Sequence, residues 1–334
     1  MLSTLPLPAV RTVATVLPAD AAGPAPGPPP LLIVGHGTRC VRGEEQFRSF
    51  VQRVTARLAP RGVDVAGGLI ELAPPPVTAA AAHLVARGHR HVIAVPLMLV
   101  AAGHAKGDIP AALAREVARY PGLGYRYGAV LGPDPLVLRA LTERLDAVLA
   151  RNERDATHVI LVGRGSTDPD ANSEVARAAR LFLEAAAGDA GPLAGVEPSF
   201  VSLAEPGVPA ALERCRRLGA TRVVVLPLFM FAGVLPNRIV TQARRWAAGH
   251  PAVQVRTAGV IGDCDLLADV VVRRYTAAAA GEVRAHCDTC VYRVAMPGFE
   301  HRVGQPQTPH DHPDDPVSGP GRGHGHGHGH GRDV

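Results

Sequence analysis

Aromatic side chains make up only 4% of the 334 residues, and tryptophan occurs once. A core built from this chain is therefore aliphatic, and the 47% hydrophobic share supplies it, mostly as Ala, Val and Leu. Lysine also occurs once, at Lys106, so the formal charge of +5 and the pI near 9.2 rest on arginines scattered along the chain. Scattered guanidinium groups do not form the basic arm by which a protein grips nucleic acid; they suit a basic cleft for a small polyanion. Cysteine is scarce: Cys40, Cys215, Cys264, Cys287 and Cys290 are an odd number with one close pair, which excludes a disulfide framework and points to a reducing compartment. No stretch offers the roughly 18 uninterrupted apolar residues of a membrane-spanning helix. The first thirty residues lack a basic start followed by an unbroken apolar run, and Pro6, Pro8 and Pro18 interrupt them, so no signal peptide is read. A cytoplasmic protein with neither membrane nor nucleic-acid partners is expected.

What the chain does have is a repeated design in which an apolar run ends in a polar group. LLIV at Leu31–Val34 runs into Gly35-His36-Gly37, Val63–Ile70 into Glu71, and Val92–Val100 into Ala101-Ala102-Gly103-His104. Each run has the β-branched, fully apolar character of a buried strand. The carboxyl ends of parallel strands are where open α/β sheets bind ligands. Two neutral imidazoles beside a carboxylate suit Co²⁺, Fe²⁺, Ni²⁺ or Zn²⁺, so His36, Glu71 and His104 are the candidate metal and catalytic groups. Cys40 is read as an incidental thiol beside this loop. No Gly-x-Gly-x-x-Gly follows the first strand, which argues against a dinucleotide-dependent oxidoreductase.

Between the strands, apolar spacing predicts helices at Glu44–Leu58, Val77–Arg87, Asp108–Arg119 and Pro135–Ala150, with Asp108 as an N-cap. A fourth strand is expected at Tyr125–Leu131. This βαβαβαβα order is that of a parallel sheet covered on both faces. The order then restarts. Gly163-Arg164-Gly165-Ser166 parallels Gly35-His36-Gly37-Thr38, and Val208 and Pro227 stand to Val77 and Pro96 at one constant offset. The chain is thus expected to be an α/β protein with two similar parallel-sheet domains from an internal duplication. The second copy has Arg164, Ser202 and Val234 where the first has His36, Glu71 and His104, so the site belongs to the first half.

The expected boundaries are a disordered leader at 1–30, a first domain at 31–152, a second at 153–280 and a flexible segment at 281–334. The leader ends in GPAPGPPP, which supports neither helix nor central strand. The last segment carries Cys287-Asp288-Thr289-Cys290 and a Gly-His run with His324, His326, His328 and His330. Alternating imidazoles on a pliant chain bind divalent metals. The Cys-x-x-C can bind metal together with His286, pair with a second subunit's copy in a homodimer, or be inert.

Taken together, VGHGTR at 34–39, LIELAPP at 69–75, VPLMLVAAGHAKGDIP at 95–110, GRGSTDPDAN at 163–172, LPLFMFAGVLPNRI at 226–239 and CDTCVYR at 287–293 resemble the long-form sirohydrochlorin chelatases of the CbiX type. The resemblance covers roughly residues 31–295. It implies two chelatase-like α/β domains facing one cleft and insertion of Co²⁺ into sirohydrochlorin for cobalamin synthesis. Iron insertion for siroheme is the alternative, and metal storage or delivery through the His-rich tail is an alternative of another class. It further implies that His36 and His104 hold the metal, that Glu71 is the family's acidic position, and that Cys287 and Cys290 can carry an Fe–S cluster. Because the substrate bears many carboxylates, Arg39, Arg42, Lys106 and Arg164 are the candidate substrate-binding cations. The chain departs from the family at Pro74, where a second glutamate often stands; Glu205 is the acid at the matching place in the second half.

Overall fold

In the first strand, β1 (Leu31–Gly35), every residue is buried, as a parallel strand covered on both faces requires. Leu31 and Ile33 join one apolar core while Leu32 and Val34 join another, following the two-residue side-chain period. β1 pairs in parallel with β2 (Val65–Leu69) on one side and β3 (His91–Pro96) on the other, and β4 (Gly124–Tyr127) adds beyond β3. The second half repeats this as β6-β5-β7-β8, from β5 (Thr157–Gly163), β6 (Gly195–Phe200), β7 (Arg222–Pro227) and β8 (Gln254–Thr257). The structure is a computed structural model and describes residues 27–186, 191–283, 292, 295 and 300–305. Cys287, Cys290, His324, His326, His328 and His330 lie outside the described residues, as does most of the expected leader. No helix among the described residues is long and apolar enough to cross a membrane.

The helices sort into outer and inner layers. On the outside, α2 (Val77–Ala86) and α3 (Ile109–Arg119) cover the first sheet, and α6 (Val208–Arg217) and α7 (Val234–Ala248) the second. Between the sheets lie α1 (Val41–Leu58), α4 (Pro135–Asp146), α5 (Pro169–Ala186) and α8 (Asp265–Ala280), which share one continuous core with the inner faces of both sheets. α1 buries Phe47, Phe50, Val54 and Leu58 at helical spacing. It begins at Val41, before the expected Glu44: the Glu44 amide bonds the Cys40 carbonyl at 3.0 Å, and the exposed Val41 and Arg42 leave no apolar period to read there.

The sequence halves do not pack as separate bodies. α8 lies against β3, β4 and α1 of the first half, and α4 lies against β7 and α5 of the second. Tyr275 on α8 donates its hydroxyl to the Pro29 carbonyl at 2.7 Å, and Arg274 donates to the carbonyls of Val130 and Leu131 at 2.9 and 2.6 Å. Arg53 on α1 binds Asp263 at 2.6 Å. The last helix of each half is thus exchanged onto the other half's sheet. The fourth strand stops at Tyr127 and not at Leu131, because the chain leaves β3 there to reach α4, and α4 itself ends at Asp146.

This exchange predicts one cooperative unfolding transition. Leu84→Ala, in the outer core of the first half, should cost about 2–5 kcal/mol. It should lower the denaturant midpoint seen by Trp246 fluorescence, whose reporter sits in the second half on α7, by as much as that seen by far-ultraviolet circular dichroism. A Trp246 midpoint that stayed in place would show that the halves unfold separately.

Candidate metal centre and substrate cleft

In the first sheet the chain runs from β1 to β2 on one side and then to β3 on the other, so the loops leaving β1 and β3 diverge and open a crevice at their carboxyl ends. His36 follows β1, Glu71 follows β2 and His104 opens the segment after β3. The β1–β2 ladder continues past the strands, with the Glu71 amide bonded to the His36 carbonyl at 3.0 Å. Gly37 makes that closeness feasible: its φ is +103°, and a Cβ there would stand 1.7 Å from the Glu71 carbonyl oxygen.

The three side chains meet. One ligand atom from each of His36, Glu71 and His104 lies within 4.8 Å of the others. His36 Nε2 is 2.9 Å from Glu71 Oε1, and the two imidazoles stand edge to face, 4.4 Å between ring centroids. His36 Nδ1 donates to the Gly37 carbonyl at 3.1 Å. Both ring nitrogens therefore face oxygen atoms, and Nε2 and Glu71 Oε1 border the position a divalent ion would take.

His104 is oriented differently. Residues His104–Asp108 form a single π-helical turn, closed by the Ile109 amide on the His104 carbonyl, and the turn carries Asp108 beneath the imidazole. Asp108, buried, accepts from His104 Nδ1 at 2.6 Å, which makes Nε2 the candidate ligand atom. Burial pushes the His104 imidazole below its usual 6.5, outweighing the raising effect of Asp108; the charges of His36 and of Arg164 act in the same direction as burial. Neutral imidazole is the form that binds metal. Asp108 was expected to cap α3, but its backbone is already helical, with φ −64° and ψ −45°, and it makes no cap. Its role as the partner of His104 had only one legible signal, the i,i+4 spacing of the two residues.

Around the cluster is a cleft of about 900 Å³, walled by both halves. Met98 and Leu99 from one side and Phe229 and Met230 from the other give it apolar surfaces. Arg39 and Arg164 are exposed in its wall, and Arg164 stands in the second half where His36 stands in the first. Tyr292 and Arg302 also line it, although the sequence showed only a tail there. Arg42 is exposed on the first turn of α1, outside the cleft lining. Cys40 sits at the start of α1, with its amide bonded to Thr38 Oγ1 at 3.1 Å. Glu205 accepts from the Gly207 amide at 2.6 Å ahead of α6 and does not line the cleft.

Lys106 is placed away from the rim. Its ammonium is 2.6 Å from Asp168 and 2.9 Å from Asp170, both buried residues of the second half. Burial disfavours the ammonium, yet the two carboxylates outweigh it and raise its pKa. The residue ties the π-helical turn under His104 to the opposite wall.

Two outcomes are expected. Asp108→Asn should weaken Co²⁺ binding by about 10–100-fold in an anaerobic titration, the usual effect of removing a metal ligand's outer partner. Lys106→Met, which takes the ammonium away from two buried carboxylates, should cost roughly 3–5 kcal/mol in a denaturant titration. A substrate-binding lysine would change substrate affinity and not this midpoint.

The CbiX family model matches the chain twice, at residues 30–148 and 158–278. The sirohydrochlorin cobaltochelatase of Priestia megaterium is 34% identical over 273 residues, covering 81% of this chain and 86% of its own. The sirohydrochlorin ferrochelatase of Bacillus subtilis is 29% identical over 223 residues, covering 67% and 82%. Among solved structures, SirB from Bacillus subtilis with Fe³⁺ superposes with a TM-score of 0.64 at 28% identity, covering 75% of this chain and 95% of that one. With the family model matched by each half in turn and both sheets carrying the same strand order, this chain belongs to the CbiX family.

Proposed function

We propose that this chain inserts a divalent metal into sirohydrochlorin, with Co²⁺ favoured and Fe²⁺ the alternative. The observation that carries the reading is the His36–Glu71–His104 cluster inside a two-walled cleft that offers both apolar surfaces and arginines. Relatives named for each metal match the chain, the cobaltochelatase at 34% identity and the ferrochelatase at 29%. The ligand set itself suits both metals.

The chemistry follows from the geometry. A free-base tetrapyrrole must lose two pyrrole protons as the metal enters, so the site needs a metal-delivering ligand and a proton acceptor on the same face of the ring. His36 and His104 hold the incoming ion; of the two protons released, Glu71, 2.9 Å from His36, accepts one, and an imidazole freed as the ion leaves for the macrocycle accepts the other. The apolar walls take the ring, and Arg39 and Arg164 hold its peripheral carboxylates by charge-assisted hydrogen bonds. Cys287 and Cys290 remain the ligands the family resemblance implies for an Fe–S cluster, and no step is assigned to them. Storage through the tail histidines as the main function finds no support in the relatives above, each of which is named for a chelatase or matches one in fold.

The test is an anaerobic absorbance assay with sirohydrochlorin and either Co²⁺ or Fe²⁺. Wild type should metallate well above the spontaneous rate, a His36→Ala, His104→Ala double variant should not, and the faster metal identifies the substrate ion. Deleting residues 306–334 should leave the rate at saturating metal unchanged. Equal rates for wild type and the double variant would remove the catalytic assignment.

A further inference from the structure

Among the described residues, only two that are not glycine have positive φ: Leu72 at +67° and Leu203 at +63°. The Ala73 amide bonds the Glu71 carbonyl across Leu72 at 2.9 Å, and the Ala204 amide bonds the Ser202 carbonyl across Leu203 at the same distance. Each leucine is therefore the centre of a three-residue turn of the left-handed kind, which is rare and strained for a residue with a Cβ. Glycine or asparagine would adopt this backbone with less strain. The leucines also do little for the core. Leu203 is 62% exposed, an unusual place for so apolar a group.

The duplication makes the pair informative. Between the two halves, His36, Glu71 and His104 give way to Arg164, Ser202 and Val234, yet the leucine, its turn and the adjoining glycine persist. Gly165 has φ +87° and would place a Cβ 1.8 Å from the Ser202 carbonyl oxygen, the counterpart of Gly37 against Glu71. The second half has thus lost the chemistry and kept the strained apolar group. Both leucines line the cleft, one contributed by each half.

We propose that Leu72 and Leu203 are paired substrate-positioning residues, holding the flat tetrapyrrole between two apolar contacts while its carboxylates reach the arginines. The inference rests on the chelatase reading. Backbone strain and exposure are kept at these positions because the side chains are covered when the macrocycle binds. Leu203 is the better one to test, since Leu72 adjoins Glu71.

Leu203→Gly separates this role from a structural one. Glycine relieves the left-handed backbone and removes the contact, so the thermal midpoint should stay level or rise while metal-free sirohydrochlorin, followed by its own absorbance, binds at least tenfold more weakly. Co²⁺ binding to the protein alone should be unchanged, KM should rise more than kcat falls, and Leu203→Met should restore affinity. Should Leu203→Gly bind sirohydrochlorin as tightly as wild type, or weaken only alongside a lowered midpoint, the proposal is overturned. Wild type that fails to bind sirohydrochlorin at all overturns the chelatase reading with it.

Discussion

Within each sheet all the strands run parallel, which obliges every connection to cross a face as a helix and re-enter at the same edge. All loops at the carboxyl edge therefore lie together, and where the strand order reverses between β1 and β3 they part. His36, Glu71 and His104 are far apart in sequence, yet each needs only to follow its own strand to reach the same place. The precision of the site comes from short local devices on that frame: Gly37 lying against the Glu71 backbone, and the π-helical turn that sets Asp108 under His104. Groups held this way need little rearrangement to receive an ion.

Duplication gave the cleft two walls of the same build and different chemistry. One wall carries the His36–Glu71–His104 cluster; the other supplies Arg164, whose charge reaches His104, and the carboxylates that fix Lys106. The asymmetry suits a reaction in which a flat ring is attacked by metal from one face only. Metal ligands on both walls would compete for the ion, whereas a cation opposite the site discourages a second ion and favours an anionic substrate.

Much of this was legible in the sequence because it is local. Strand-end positions follow from apolar runs, and a run ending in Gly-His-Gly locates its imidazole without knowledge of the tertiary fold. The repeat was legible for the same reason. Asp108 was misread because an acid before Ile-Pro carries the signature of an N-cap, and nothing local reveals that the preceding five residues already turn helically. Lys106 looked like a rim cation because its partners, Asp168 and Asp170, are more than sixty residues away on the chain. The crossing of α4 and α8 had no sequence signal, since an amphipathic helix shows that it has an apolar face and not which sheet receives it. Tyr292 and Arg302 follow a Cys-x-x-C in a segment that runs on into a Pro-, Gly- and His-rich end, which suggests no packed position.

The crossed helices bear on how such a chain arises. A single half of this fold, alone in solution, has a last helix whose place is on another molecule, so its folding would be second order and its stability set by concentration. Joining two halves through the short segment between α4 and β5 makes that encounter intramolecular and independent of dilution. It also makes the two copies distinguishable. In a pair of identical chains every substitution appears on both sides of the cleft, and exchanging His36 for arginine would destroy both sites at once. Once the copies are fused, one can mutate while the other works, and a symmetric pocket is free to become a cleft with a metal side and a substrate side.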